Sequence, residues 1–274
     1  MRQYPARFEK ALARRILLRN SSGRRRRGGS PEALFDCFPL FAPCIIRKPR
    51  KESSLTMKDV IDAILRRPQA EYLDSLLPLR DPLLEEMEAY AEEHGHPIAD
   101  PEVAQLMRVI LKIRQPRHLI EVGTNIGYSV VVMGRECGAG SVVETIELSP
   151  KILGKAKEFV GRAGLSCEVV FHQGAALEVI PKLDGTFDFA FIDAVKTEYD
   201  AYLEGLIPRM AAGGVLMFDN LLWKGQVAEG AKSEGQRAST AALEELNRKI
   251  SSDPRLLTTI VPVGDGVGIS IVRG

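Results

Sequence analysis

The chain has 274 residues, 45% hydrophobic and 27% charged, with a formal net charge of +1. That length suits one sizeable α/β domain with an appendage, and the composition is that of an ordinary globular protein. No apolar run reaches the ~20 residues that a bilayer-spanning helix needs. The nearest candidate, residues 34–46, is broken by Asp36, Pro39 and Pro43, so no membrane association is expected.

The net charge hides an asymmetry. Residues 1–56 hold 14 Lys and Arg against 4 Asp and Glu, a balance of +10, whereas residues 57–274 hold 23 against 32, a balance of −9. Three readings compete for this arm, with its Arg24-Arg25-Arg26-Arg27 run: a non-native extension upstream of a start at Met57, an Arg-rich targeting segment, or a basic tail for nucleic acid or an anionic surface. The first is preferred, because Met57 opens an amphipathic segment; residues 1–56 are then a disordered or non-native extension and 57–274 the functional domain. Four cysteines at 37, 44, 137 and 167 form no CxxC pair, which suits a reducing, cytoplasmic setting.

From Met57 to Arg114 the apolar spacing is helical, with Asp81-Pro82 and Asp100-Pro101 as helix starts and His94-Gly95 as a stop. Beyond Pro116 strands and helices alternate. Strands are expected at 118–122, 141–146, 167–172, 187–192 and 215–218, and helices at 127–137, 150–163, 177–182, 197–210 and 239–250. Strands 257–261 and 267–271 then pair through a short link containing Gly264-Asp265-Gly266. Near-continuous apolar strands in βα alternation specify a mostly parallel sheet covered on both faces, closed by an antiparallel hairpin.

In such sheets ligands bind beyond the carboxyl ends of the strands. The first strand runs into Glu121-Val122-Gly123-Thr124-Asn125-Ile126-Gly127, where glycine lets backbone approach a ligand. Glu147 ends the second strand, twenty residues after Gly127, where a carboxylate can accept two ribose hydroxyls. A dinucleotide fingerprint needs glycine at 123, 125 and 128, but 125 is Asn and 128 is Tyr. A nucleoside cofactor is therefore favoured over NAD or FAD, and a turn that merely packs is the alternative.

Asp193 follows the fourth strand, and Asp219-Asn220 the fifth. Neighbouring strands lie ~4.8 Å apart, so two carboxylates and an amide can converge as hard oxygen donors for Mg²⁺, Mn²⁺ or Ca²⁺. Helix capping is the competing role. Lys196, three residues after Asp193, is a candidate general base or else a solvated surface lysine.

These residues bring a family into view. The motifs E-V-G-T-N-I-G-Y-S, I-E-L-S-P, F-I-D-A-V-K, D-N-L-L-W-K-G-Q-V and P-V-G-D-G occur in that order. Over about residues 69 to 274 the chain resembles the cation-dependent O-methyltransferases, which include catechol and caffeoyl-CoA methyltransferases and bacterial tRNA 5-hydroxyuridine methyltransferases. The resemblance implies a Rossmann-like class I methyltransferase with a seven-stranded sheet and N-terminal helices, using S-adenosylmethionine and a divalent cation, most suitably Mg²⁺, and forming a homodimer. It implies that Ala99, Glu121, Gly123, Thr124, Tyr128, Ser129, Glu147, Leu148, Gly174, Ala175 and Asp193 line the cofactor site. Asp193, Asp219 and Asn220 would hold the metal, and Lys196 would be the base, acting beside Asp193. Departures are Val195 and Ala175, where many members carry Asp, and Asn125 in place of an aromatic residue. A small catechol-like or phenolic acceptor is expected, with tRNA as the alternative and a cofactor-binding protein without turnover as the third. Trp223 is expected either to stack on an aromatic acceptor or to pack against the last helix.

Overall fold

The computed structural model describes residues 67–78 and 81–274; the basic arm and the stretch opening at Met57 lie outside the described residues. Helix α1 (Arg67–Ser75) has no buried residue. Helix α2 (Pro82–His94) starts at Asp81, whose Oδ1 accepts from the Leu83 and Leu84 N–H groups at 2.9 and 3.0 Å. That satisfies two of the donors a helix start leaves open. Gly95 ends the helix in the left-handed conformation, as its lack of a Cβ permits. Helix α3 (Pro101–Arg114) buries Val103, Ala104, Met107 and Leu111.

Seven strands follow: β1 (His118–Val122), β2 (Val142–Glu147), β3 (Glu168–Gln173), β4 (Phe187–Ile192), β5 (Met210–Phe218), β6 (Leu256–Val261) and β7 (Val267–Val272). They lie in the order β3-β2-β1-β4-β5-β7-β6. Pairing is parallel from β3 to β5, while β7 runs antiparallel to both β5 and β6. This is the fold expected from the alternating pattern and its closing hairpin.

Helices α4 (Tyr128–Glu136) and α5 (Pro150–Arg162) join α2 and α3 in covering one sheet face. Helices α6 (Ala176–Val179), α7 (Tyr199–Leu206) and α9 (Glu234–Ser252) cover the other, and α8 (Gln226–Glu229) lies in the connection after β5. Cys137 and Cys167 are free and buried in the first layer, where they behave as small hydrophobes.

Three elements differ from expectation. Strand β5 starts at Met210 rather than Val215, because Phe187 pairs with Met210 and Phe189 with Val215 across a register shift. Gly213, at φ 76, absorbs the extra residues. The helix expected from 197 to 210 is shortened to Tyr199–Leu206 between two 3₁₀ turns; Pro208 has no N–H to continue it. Helix α9 begins five residues early, at Glu234, because its first turn is polar and carries no apolar period.

One alignment positions the site. Val122, Ile192 and Phe218 are in register across β1, β4 and β5. The residues that follow them, Gly123, Asp193 and Asp219, therefore leave the sheet at the same level.

Candidate active site

The turn after β1 is built against its neighbour. Gly123 has φ 105, and a Cβ there would lie 2.2 Å from the Asp193 carbonyl oxygen. No other residue fits without moving one of the two strands. The Gly123 and Thr124 N–H groups both donate to the Ile146 carbonyl at 3.1 Å. The Asn125 and Ser149 N–H groups donate to the two oxygens of Glu147, each at 2.9 Å. The carboxylate is thus fixed beside the turn, and each oxygen keeps acceptor capacity for a hydroxyl. The Gly174 N–H donates to the Glu147 carbonyl at 3.0 Å, and Ala175 then caps α6. Leu148, 67% exposed, offers an apolar surface beside Glu147. Above the turn, the Asn125 side-chain amide donates to the Pro97 carbonyl at 2.5 Å, drawing in the segment that carries buried Ala99.

Other predicted cofactor residues face inward. Glu121 has no exposed surface. The Ser129 hydroxyl donates to one of its oxygens and the Thr145 hydroxyl, at 2.5 Å, to the other. Burial pushes the Glu121 carboxyl up to about 7 against the pull of those two bonds, with Asp193 and Glu147 adding to the rise. The Thr124 hydroxyl meets that of Thr145 at 2.5 Å, and the Tyr128 hydroxyl donates to Glu88 of α2 at 2.8 Å. The side chains of Glu121 and Tyr128 therefore brace the layer beneath the turn, while Gly123, Glu147, Gly174 and Asp193 gather at the sheet edge.

The acidic pair lies on adjoining strand ends. The Asp193 N–H continues the ladder to the Val122 carbonyl at 2.9 Å, and that of Asp219 to the Ile192 carbonyl at 3.1 Å. The Lys196 ammonium donates to Asp193 Oδ1 at 2.7 Å and to the Tyr199 hydroxyl oxygen at 2.6 Å. The Tyr199 hydroxyl donates in turn to the Asp219 carbonyl at 3.3 Å. Asp219 is only 2% exposed, and its Oδ1 accepts from the Asn220 N–H at 2.7 Å. Burial drives the Asp219 carboxyl well above its ordinary range, and the facing Asp193 drives it further, with Lys196 opposing. Asp100, from the start of α3, adds a smaller push in the same direction. Among the described residues no group of three His, Cys, Asp or Glu is arranged to hold a metal. A cation at this level of the sheet would have to draw on the ends of β4 and β5, where Asp193, Asp219 and Asn220 follow one another in space.

The rim is pinned by the β6–β7 turn. The Leu221 and Leu222 N–H groups donate to the Gly266 and Asp265 carbonyls, both at 2.9 Å, and the Lys224 N–H donates to Asp265 Oδ1 at 2.6 Å. A Cβ on Gly266 would sit 2.4 Å from Leu222. Trp223 is partly buried and packs against the second core layer.

A family model described as O-methyltransferase matches residues 80–273. The chain belongs to the O-methyltransferase family. Tricin synthase 2 of Oryza sativa subsp. japonica is 32% identical over 69% of this chain and 69% of its own length. A caffeoyl-CoA O-methyltransferase of Stellaria longipes is 29% identical over 70% of this chain and 84% of its own. Among solved structures, an O-methyltransferase from Bacillus cereus in complex with SAH superposes with a TM-score of 0.67 at 25% identity, covering 75% of this chain and 97% of that one. The enzyme is an S-adenosylmethionine-dependent O-methyltransferase of the caffeoyl-CoA type. No described helix is long and apolar enough to cross a membrane.

Sequence reasoning missed two residues that shape the site. Asp265 lies within the recognised P-V-G-D-G motif yet reads there as part of a turn. Tyr199 has a local signal: Asp193, Lys196 and Tyr199 are spaced by three, which places successive side chains on one face of a helical turn.

Proposed function

We propose that the enzyme methylates a hydroxyl of a small catechol-like or phenolic acceptor, using a divalent cation held by Asp193, Asp219 and Asn220. The observation that carries this reading is the Asp219 carboxyl, buried beside a second carboxylate with one lysine opposing both. Ionising the buried Asp219 beside the partly exposed Asp193 needs more positive charge than one ammonium supplies. The donors are two carboxylates and an amide, hard oxygens that suit Mg²⁺ first and Mn²⁺ or Ca²⁺ after it. When bound, such a cation lowers the pKa of a coordinated hydroxyl.

The chain's own residues do the rest. Glu147 accepts the ribose hydroxyls and the Gly123 turn lets backbone meet the cofactor. Asp193 borders both ligands. Lys196 removes the acceptor proton, and the oxygen then displaces the sulfonium methyl in line, so alignment supplies much of the acceleration. No covalent enzyme intermediate is needed. The phenolic acceptor is supported by relatives named for caffeoyl-CoA and tricin.

Purified enzyme with methyl-labelled S-adenosylmethionine would be offered catechol, caffeoyl-CoA or hydroxyuridine-bearing tRNA, with and without EDTA. Label in a phenol that disappears with EDTA and returns with Mg²⁺ is the expected result. Label in tRNA alone would replace the acceptor, and full transfer under exhaustive chelation would remove the cation.

A further inference from the structure

Lys196 is held from two directions. Its side chain is 10% exposed, and its nitrogen bonds Asp193 Oδ1 at 2.7 Å and the Tyr199 hydroxyl oxygen at 2.6 Å. Tyr199 has no exposed surface and lies in the second core layer. Its ring is tilted against those of Tyr202 and Phe218, with centroids 6.2 and 6.4 Å away. The hydroxyl proton is committed to the Asp219 carbonyl at 3.3 Å. What the phenol presents to Lys196 is therefore an acceptor lone pair.

We propose that Tyr199 is the positioning residue that aims the lone pair of Lys196 at the acceptor hydroxyl. This rests on Lys196 being the base. Before the transfer the ammonium gives up one proton to solvent. The neutral amine that results has two N–H donors and one lone pair, arranged tetrahedrally about nitrogen with the side-chain carbon. Asp193 Oδ1 and Tyr199 Oη take the two N–H bonds, so one direction remains for the lone pair. With either acceptor missing, the amine rotates about its terminal C–N bond and the productive orientation becomes one of several. In the transfer, the acceptor O–H bond breaks and its proton becomes the third N–H of Lys196. The electron pair left on oxygen forms the new O–CH₃ bond as the methyl–sulfur bond breaks onto sulfur. Asp193 and Tyr199 keep their bonds to the nitrogen throughout, so the geometry needs no rearrangement in the step.

A two-by-two set of variants tests this: wild type, Tyr199→Phe, Lys196→Met and the double variant, assayed with catechol, Mg²⁺ and S-adenosylmethionine. Tyr199→Phe should lower kcat about tenfold or more, leaving the catechol KM and the S-adenosylmethionine Kd within about twofold. In the Lys196→Met background the same change should do almost nothing further, a non-additivity that a purely structural tyrosine would not produce. A second readout needs no acceptor. In ¹⁵N-lysine-labelled protein, the side-chain ammonium signal lost in Lys196→Met should be slow to exchange in wild type and exchange at least about tenfold faster in Tyr199→Phe. Equal losses in both backgrounds, or unchanged kcat and exchange in Tyr199→Phe, would overturn the positioning role while leaving Lys196 as base. An active Lys196→Met enzyme would instead overturn the base itself.

Discussion

Two carboxylates at the same sheet edge live in opposite circumstances. Glu147 is half-buried, and each of its oxygens already receives a backbone N–H. Asp219 is sealed from water, faces Asp193, and has its carboxyl driven upward by both burial and that neighbour. The first group is preorganised and electrostatically settled before any ligand arrives. The second is held back from ionising, and added positive charge nearby would release it. On the proposed reading, one half of the site would be a mould for a neutral sugar and the other a socket for a cation.

The largest expected effect breaks the second half alone. Asp219→Ala should lower turnover by about a thousandfold or more, as loss of a metal-centred charge term does. Isothermal titration should show S-adenosylmethionine binding kept within about threefold. Retained Mg²⁺-dependent turnover would mean that Asp219 is not a ligand.

Glu121→Gln probes the layer beneath both halves. Its carboxyl titrates near 7 in the folded protein against 4.5 as its ordinary value. The folded state binds more protons between those values, so stability is full below 4.5 and falls as pH rises through 7. Over that window the decline is on the order of 3 kcal/mol. Urea titrations of the Gln variant should lose this slope, and an unchanged slope would place the titration elsewhere.

Glu147→Ala tests the mould. Two ribose hydroxyls lose a charged acceptor, so cofactor affinity should fall about 10- to 100-fold, while Mn²⁺ binding is unaffected. A matching fall in Mn²⁺ affinity would show that the two halves are not separable. The smallest effect is the control. Arg255 pairs with Glu204 at 2.7 Å and with Asp253 at 2.7 Å, far along the chain from either ligand half and open to solvent. Arg255→Ala should move Tm by about 2 °C or less, with kcat unchanged.

Much of this was legible in the residue order, and the exceptions have local causes. Apolar runs such as Phe187–Ile192 could only be buried strands, and Asp81-Pro82 with His94-Gly95 bracketed α2 correctly. The start of β5 was hidden because Ala211-Ala212-Gly213-Gly214 looks like a turn; its pairing depends on Phe187, more than twenty residues earlier. In the site, placing Asp193 and Asp219 needed only the ends of two adjacent strands. Glu121 was different. Side chains alternate along a strand, so Glu121 shares the face of Leu119 and meets Ser129 on α4. The hydroxyl of Tyr199 escaped notice because a buried tyrosine on an apolar helix face resembles any core aromatic.

The missing Cβ of Gly123 has a thermodynamic corollary. Cofactor loop and acidic strand touch there backbone to backbone, 2.2 Å from where a methyl would intrude, so neither can shift without displacing the other. Linkage then requires reciprocity: whatever factor Mg²⁺ adds to the affinity for S-adenosylmethionine, the nucleoside must return to Mg²⁺. Paired titrations, each ligand measured with and without the other, should yield one common factor above unity.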